Sequence, residues 1–139
     1  MSRRWLVAFA ALALAGGACQ NATDLKTGDC FNGGSGESVT TVTPVDCAQA
    51  HEKEVFATLT HPGAGGPYPG DAVLEEYADR VCLDGFQPYV GRPYDSSELY
   101  ISYLTPSPGS WEEGDHLVSC ILHLENDAPI TGSMQGSGR

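Results

Sequence analysis

Four cysteines, Cys30, Cys47, Cys82 and Cys120, set the strongest limit on what this chain can fold into, and a fifth, Cys19, sets its address. The chain opens with Arg3 and Arg4, then an apolar run from Trp5 to Ala15, then the small residues Gly16, Gly17 and Ala18. Charge, apolar core and small-residue site in that order make an export signal over residues 1–18. A permanent membrane span needs about 20 apolar residues, and this run is shorter. Beyond the membrane the compartment is oxidising, so cysteines in even number read as disulfides. Four cysteines allow three pairings, and sequence alone does not choose among them. Local geometry favours Cys30–Cys47, which flank a Gly-rich turn, and Cys82–Cys120. Each closed loop would constrain the unfolded chain by roughly 3–4 kcal/mol. A four-cysteine zinc site needs closely paired ligands, a spacing these cysteines lack.

Cys19 is left without a partner. Leu14-Ala15-Gly16-Gly17-Ala18-Cys19 resembles a lipobox, with Gly16 where an aliphatic residue usually stands. Two routes follow. Acylation of Cys19 makes a lipoprotein on the outer face of the cytoplasmic membrane; simple cleavage after Ala18 makes a secreted protein. Residues 19–24, with Gln20, Asn21 and Thr23, read as a tether.

Cleavage removes Arg3 and Arg4 and leaves 121 residues, enough for one domain with a modest core. Five basic residues then face 18 acidic ones, a formal charge of −13. Such a chain is repelled by nucleic acid and by anionic lipid alike, so nucleic acid is excluded as a partner, and membrane contact falls to the lipid at Cys19.

The elements point to a small α+β fold: an antiparallel sheet with one main helix on it, stapled by two disulfides. Residues 25–31 and 39–46 carry β-formers. Residues 53–60, with Val55, Ala57 and Leu59 on one face, read as a strand. Pro62 to Gly70 is a loop. Leu74, Tyr77, Ala78, Val81 and Cys82 form one apolar stripe, which predicts a helix over 71–83 with Asp71 as its cap. Gly85 or Gly91 ends it, and Pro88 limits extension. Residues 99–104 suit a strand covered on both sides, and Trp111 to Glu113 a single helical turn. In 116–124, Val118, Cys120, Leu122 and Leu124 share one face. The stripe and this strand place Cys82 opposite Cys120. The small, polar tail from Gly132 to Arg139 is expected to fray.

Several short motifs recur in a recognisable order: Gly28-Asp29-Cys30-Phe31, then Val45-Asp46-Cys47, then His51 with Glu54-Val55-Phe56. Cys82 with Phe86, Tyr89, Val90 and Gly91 follows, and then Trp111, Gly114-Asp115-His116, Val118 and Cys120. Together they resemble the septum-formation-related domain of actinobacterial envelope proteins, over residues 25–136. The resemblance implies export or membrane tethering and an association with cell division or wall assembly. It brings no reaction, substrate or cofactor.

Catalytic signals are weak. His51-Glu52-Lys53-Glu54 lacks the second histidine of a zinc protease helix, and no nucleophile elbow, phosphate loop or dinucleotide fingerprint is present. With the internal cysteines paired, no thiol nucleophile remains. His51, Trp111 and Asp115 are the candidate functional surface. The reading is therefore a tethered, non-enzymatic accessory or binding module with neither metal nor cofactor, its partners envelope or division proteins. The competing reading is a hydrolase of an envelope polymer that uses carboxylates or His51.

Overall fold

The strand expected from 116–124 sits inside the sheet as β7 (Leu117–His123), paired antiparallel with β5 (Lys53–Thr60) on one side and β6 (Tyr100–Leu104) on the other. The computed structural model describes residues 18–35 and 39–139; all of the export signal except Ala18 lies outside the described residues. Among the described residues, no helix is long and apolar enough to cross a membrane. β1 (Gln20–Asn21), β2 (Cys30–Asn32) and β3 (Thr41–Val45) complete a six-stranded sheet in the order β1-β3-β2-β5-β7-β6. A separate two-stranded ladder joins β4 (Ala50–His51) to β8 (Ile130–Thr131).

The alternation along β7 builds two cores, because successive side chains leave a strand on opposite faces. Val118, Cys120 and Leu122 are fully buried against α1 (Asp71–Val90), together with Phe56, Ala78, Cys82, Phe86 and Val90. Ile121 faces the other way and packs with Val55, Phe31, Val42, Ala22 and Leu25. Each buried side chain of this size contributes about 1.5–3 kcal/mol. The helix is pinned to the sheet by Cys82–Cys120, and Cys30–Cys47 closes the β2–β3 region, as local geometry favoured.

Five features differ from the sequence reading. The helix does not stop near residue 83; it runs through Gly85 and Pro88 to Val90. Pro88 forgoes one i→i−4 bond, yet Leu74, Ala78, Cys82, Phe86 and Val90 are all wholly buried at a spacing of four, and that stripe holds the last turns down. Gly91, at φ 86°, ends the helix in the left-handed conformation. Asp71 is the first helical residue, and the N-cap is Gly70.

Val55 does not share a face with Ala57 and Leu59. A bulge between Val55 and Ala57 shifts the register against β7. One extra residue reverses the alternation, so Val55 packs beside Ile121, while Phe56, Ala57 and Leu59 join the helix side. The same bulge puts Glu54, opposite Leu122, on the helix side.

The segment read as a tether holds β1, and Ala22 donates its N–H to the Thr40 carbonyl at 3.0 Å. The tail is held too. Met134 is buried, and the N–H groups of Gly136 and Gly138 donate to the carbonyls of Tyr89 and Val90, both at 2.8 Å. Those carbonyls belong to the last turn of α1, where no helical donor remains, so the tail serves as the helix's C-terminal cap. Arg139 ends it in an ion pair with Glu98 at 2.6 Å.

Candidate functional site

A polar centre lies where β4, β5, the end of α1 and the tail meet. Glu54 is 0% exposed, and three donors converge on its carboxylate. The Tyr89 hydroxyl donates to Oε1 at 2.6 Å, the Ser133 hydroxyl to Oε1 at 2.6 Å, and the Met134 backbone N–H to Oε2 at 2.7 Å. Burial, then the hydrogen bond and charge of Glu54, hold the Tyr89 phenol well above its ordinary range. One carboxylate thereby ties together β5, the last turn of α1 and the tail.

His51 is 1% exposed and stands beside this carboxylate, with Nε2 at 4.0 Å from Oε2. Its Nδ1 lies 2.8 Å from the Gln49 carbonyl oxygen. A carbonyl only accepts, so Nδ1 carries a proton, and in the neutral ring Nε2 presents its lone pair. Among the described residues, Nε2 is the one buried side-chain nitrogen or oxygen without a hydrogen-bond partner. Cys30 is the cross-strand neighbour of Glu54. Its sulfur, a ring nitrogen of His51 and a carboxylate oxygen of Glu54 lie within 4.8 Å of one another.

Trp111 and Asp115 are elsewhere. β5 begins two residues after His51 and ends just before His61, so about 25 Å of strand separates the two regions. Trp111 is 3% exposed in α2 (Pro108–Glu112), which a capping box of Ser107 and Ser110 starts. Its Nε1–H donates to the Gly66 carbonyl at 2.9 Å and fastens the Gly/Pro loop. His116, His61 and Tyr68 surround its ring at centroid distances of 4.5, 5.7 and 6.0 Å. Asp115 accepts from the Leu117 N–H at 3.2 Å, a local turn contact. The structure therefore does not unite His51, Trp111 and Asp115, and it buries the first two. Glu54, Tyr89 and Ser133 were missed as a group. Tyr89 and the Glu54-Val55-Phe56 run had been noted, but nothing in their spacing signals convergence.

The outer face of α1 is open. Val73 and Leu83 are 47% and 52% exposed there, and the exposed Glu76, Arg80 and Asp84 share that side of the helix. Cys19 is a free, exposed cysteine just ahead of β1.

Comparison with known proteins adds the following. The family described as "Septum formation" matches residues 27–138. Two curated relatives, from Mycobacterium tuberculosis and Mycobacterium bovis, bear the name "Putative lipoprotein LppN". Each is 35% identical over 115 residues, covering 79% of this chain and 62% of its own length. The chain thus spans about three fifths of these relatives. No solved structure matches it significantly.

Proposed function

We propose that this chain, which belongs to the septum formation family, is an envelope-tethered accessory or binding module that works without catalysing a reaction. The observation that carries this reading is the closure of the His51–Glu54 pair, the group a polymer hydrolase would draw on here. Both residues are buried, and three protein donors occupy the two Glu54 oxygens. A general acid or base must come within about 3 Å of the atom it serves, and a polymer chain has no approach to this carboxylate.

Binding falls instead to the outer face of α1, where Val73 and Leu83 are exposed beside Glu76, Arg80 and Asp84. A partner that fits is an envelope protein with an apolar contact, and the chain's net charge of −11 favours a basic one. The family's name supports a link to division, and the relatives' name supports a lipid at Cys19, which is free and exposed while the other four cysteines are paired.

Proximity labelling in the native host tests the module. Division or wall-assembly proteins are expected among the neighbours, and they should drop out in a Val73→Glu, Leu83→Glu double variant. Neighbours unrelated to wall or division would remove the reading, as would release of soluble fragments from cell-wall polymer by the purified domain. Intact mass of the exported product decides the anchor: a chain starting at Cys19 without a diacylglyceryl group is secreted, not tethered.

A further inference from the structure

The closed centre has a ligand-binding arrangement that the binding role leaves unused. Cys30, His51 and Glu54 are all buried and bring a sulfur, a ring nitrogen and a carboxylate oxygen within 4.8 Å of one another. His51 is set as metal-binding histidines are set: a backbone carbonyl takes the Nδ1 proton and so fixes the lone pair on Nε2. That lone pair points into the cluster and has no partner. Glu54 has its own supporting contacts in Tyr89, Ser133 and the Met134 N–H.

What the cluster lacks is a thiolate, the form of sulfur that binds metal. Cys30 is bonded to Cys47. The two disulfides are unequally guarded. Cys82 and Cys120 are both 0% exposed, whereas Cys47 is partly exposed at the turn after β3. A thiol reductant therefore meets Cys30–Cys47 first.

We propose that the Cys30–Cys47 disulfide masks a zinc site formed by Cys30, Cys47, His51 and Glu54, and that reduction opens it. A dithiol supplies two electrons and two protons; the S–S bond breaks, two thiols form, and the dithiol leaves as its own disulfide. Zn2+ then binds both sulfurs as thiolates, with His51 Nε2 and a Glu54 oxygen, and the two thiol protons pass to solvent. Two sulfurs, one imidazole and one carboxylate make a four-coordinate zinc set, and the thiolates select against magnesium and calcium. Ligand atoms around tetrahedral zinc lie roughly 3.3–3.8 Å apart, so the three grouped donors close in by about 1 Å, and the Cys47 sulfur, which lies outside that group, must swing in once the S–S bond opens. The oxidised protein keeps the shape of the site and withholds its sulfur.

The test uses the full exported chain with Cys19→Ser, which removes the exposed thiol. Mild reduction is followed by peptide mapping to verify that Cys82–Cys120 is intact, and Co2+ and Zn2+ are then titrated. The reduced chain is expected to bind one equivalent of Co2+ with a thiolate charge-transfer band and tetrahedral visible bands, and Zn2+ should displace it. The oxidised chain is expected to bind at least 10-fold more weakly, as are reduced Cys30→Ser and His51→Ala. X-ray absorption of the zinc-loaded chain needs no variant and should count two sulfur and two nitrogen or oxygen ligands. A reduced chain without the thiolate band, equal binding by Cys30→Ser, or an absorption spectrum without sulfur overturns the proposal.

Discussion

Replacing Glu54 by alanine tests the idea that one carboxylate locks three parts of the chain. Three hydrogen bonds to it would be lost, at 2.6, 2.6 and 2.7 Å. A hydrogen bond to a charged group is worth about 1.5–3 kcal/mol, so the gross loss is roughly 5–9 kcal/mol. Two effects reduce it. Ser133 is exposed and Tyr89 partly exposed, so their hydroxyls can turn to water, and the variant no longer desolvates a carboxylate, itself a cost of several kcal/mol. The Met134 N–H is buried and recovers little. The net expectation is a loss of about 2–4 kcal/mol, against a total stability of about 5–15 kcal/mol for a domain of this size. At about 4 °C per kcal/mol, Tm falls by roughly 8–16 °C.

Thermal and urea unfolding with the disulfides intact give the number, and amide hydrogen exchange locates it. Protection of the Gly136 and Gly138 amides, which bond to Tyr89 and Val90, should fall before protection in β7. Tyr89→Phe alone should cost about 1–1.5 kcal/mol. Because Tyr89 and Glu54 share one bond, the double variant should cost at least 0.5 kcal/mol less than the sum. A loss under 1 kcal/mol for Glu54→Ala, or additivity with Tyr89→Phe, would refute the lock.

Three further outcomes follow from the same structure. Cys82→Ala with Cys120→Ala releases a loop of 38 residues and should cost about 4 kcal/mol in unfolded-chain entropy, read by urea unfolding; a cost near zero would mean the bond does not pin α1 to the sheet. Gly91→Ala forces a Cβ into the left-handed region at φ 86° and should cost about 1–2 kcal/mol, again by urea; an unchanged midpoint would contradict the cap. Partial burial raises the Asp127 carboxyl, but Lys53 at 3.0 Å, Ser35 and His123 outweigh it and hold it below the ordinary range. A depressed carboxyl stabilises above its unfolded pKa and loses that as pH falls through the folded one. Asp127→Asn should therefore lower Tm at pH 7, with the gap to wild type closing below about pH 4; a gap independent of pH would remove the pair's role.

What the sequence disclosed and what it hid divide along one physical line. Elements that bury alternating or four-spaced apolar side chains were legible, because periodicity is a property of the residues themselves. That holds for β7 with Val118, Cys120 and Leu122, for the α1 stripe, and for the disulfide that joins them. Even the end of α1 was written in the stripe, since Phe86 and Val90 continue the spacing of four from Cys82. Pro88 was given more weight than the stripe, although proline in a last turn costs one hydrogen bond while two buried side chains hold that turn in place.

The centre at Glu54 was hidden because backbone events create it. The bulge between Val55 and Ala57 reverses the face on which Glu54 falls, and no residue type announces a bulge. The tail's role depends on two glycine N–H groups and the Met134 N–H, which every residue but proline carries. Removal of the bulge, with the register from Ala57 onward kept, would reverse both Glu54 and Val55, placing the carboxylate in the core beside Ile121 and the apolar side chain at the polar centre. The bulge and the acidic residue therefore require each other: the register shift lets Val55 fill the core beside Ile121 while Glu54, its immediate neighbour, reaches the end of α1, the tail and His51.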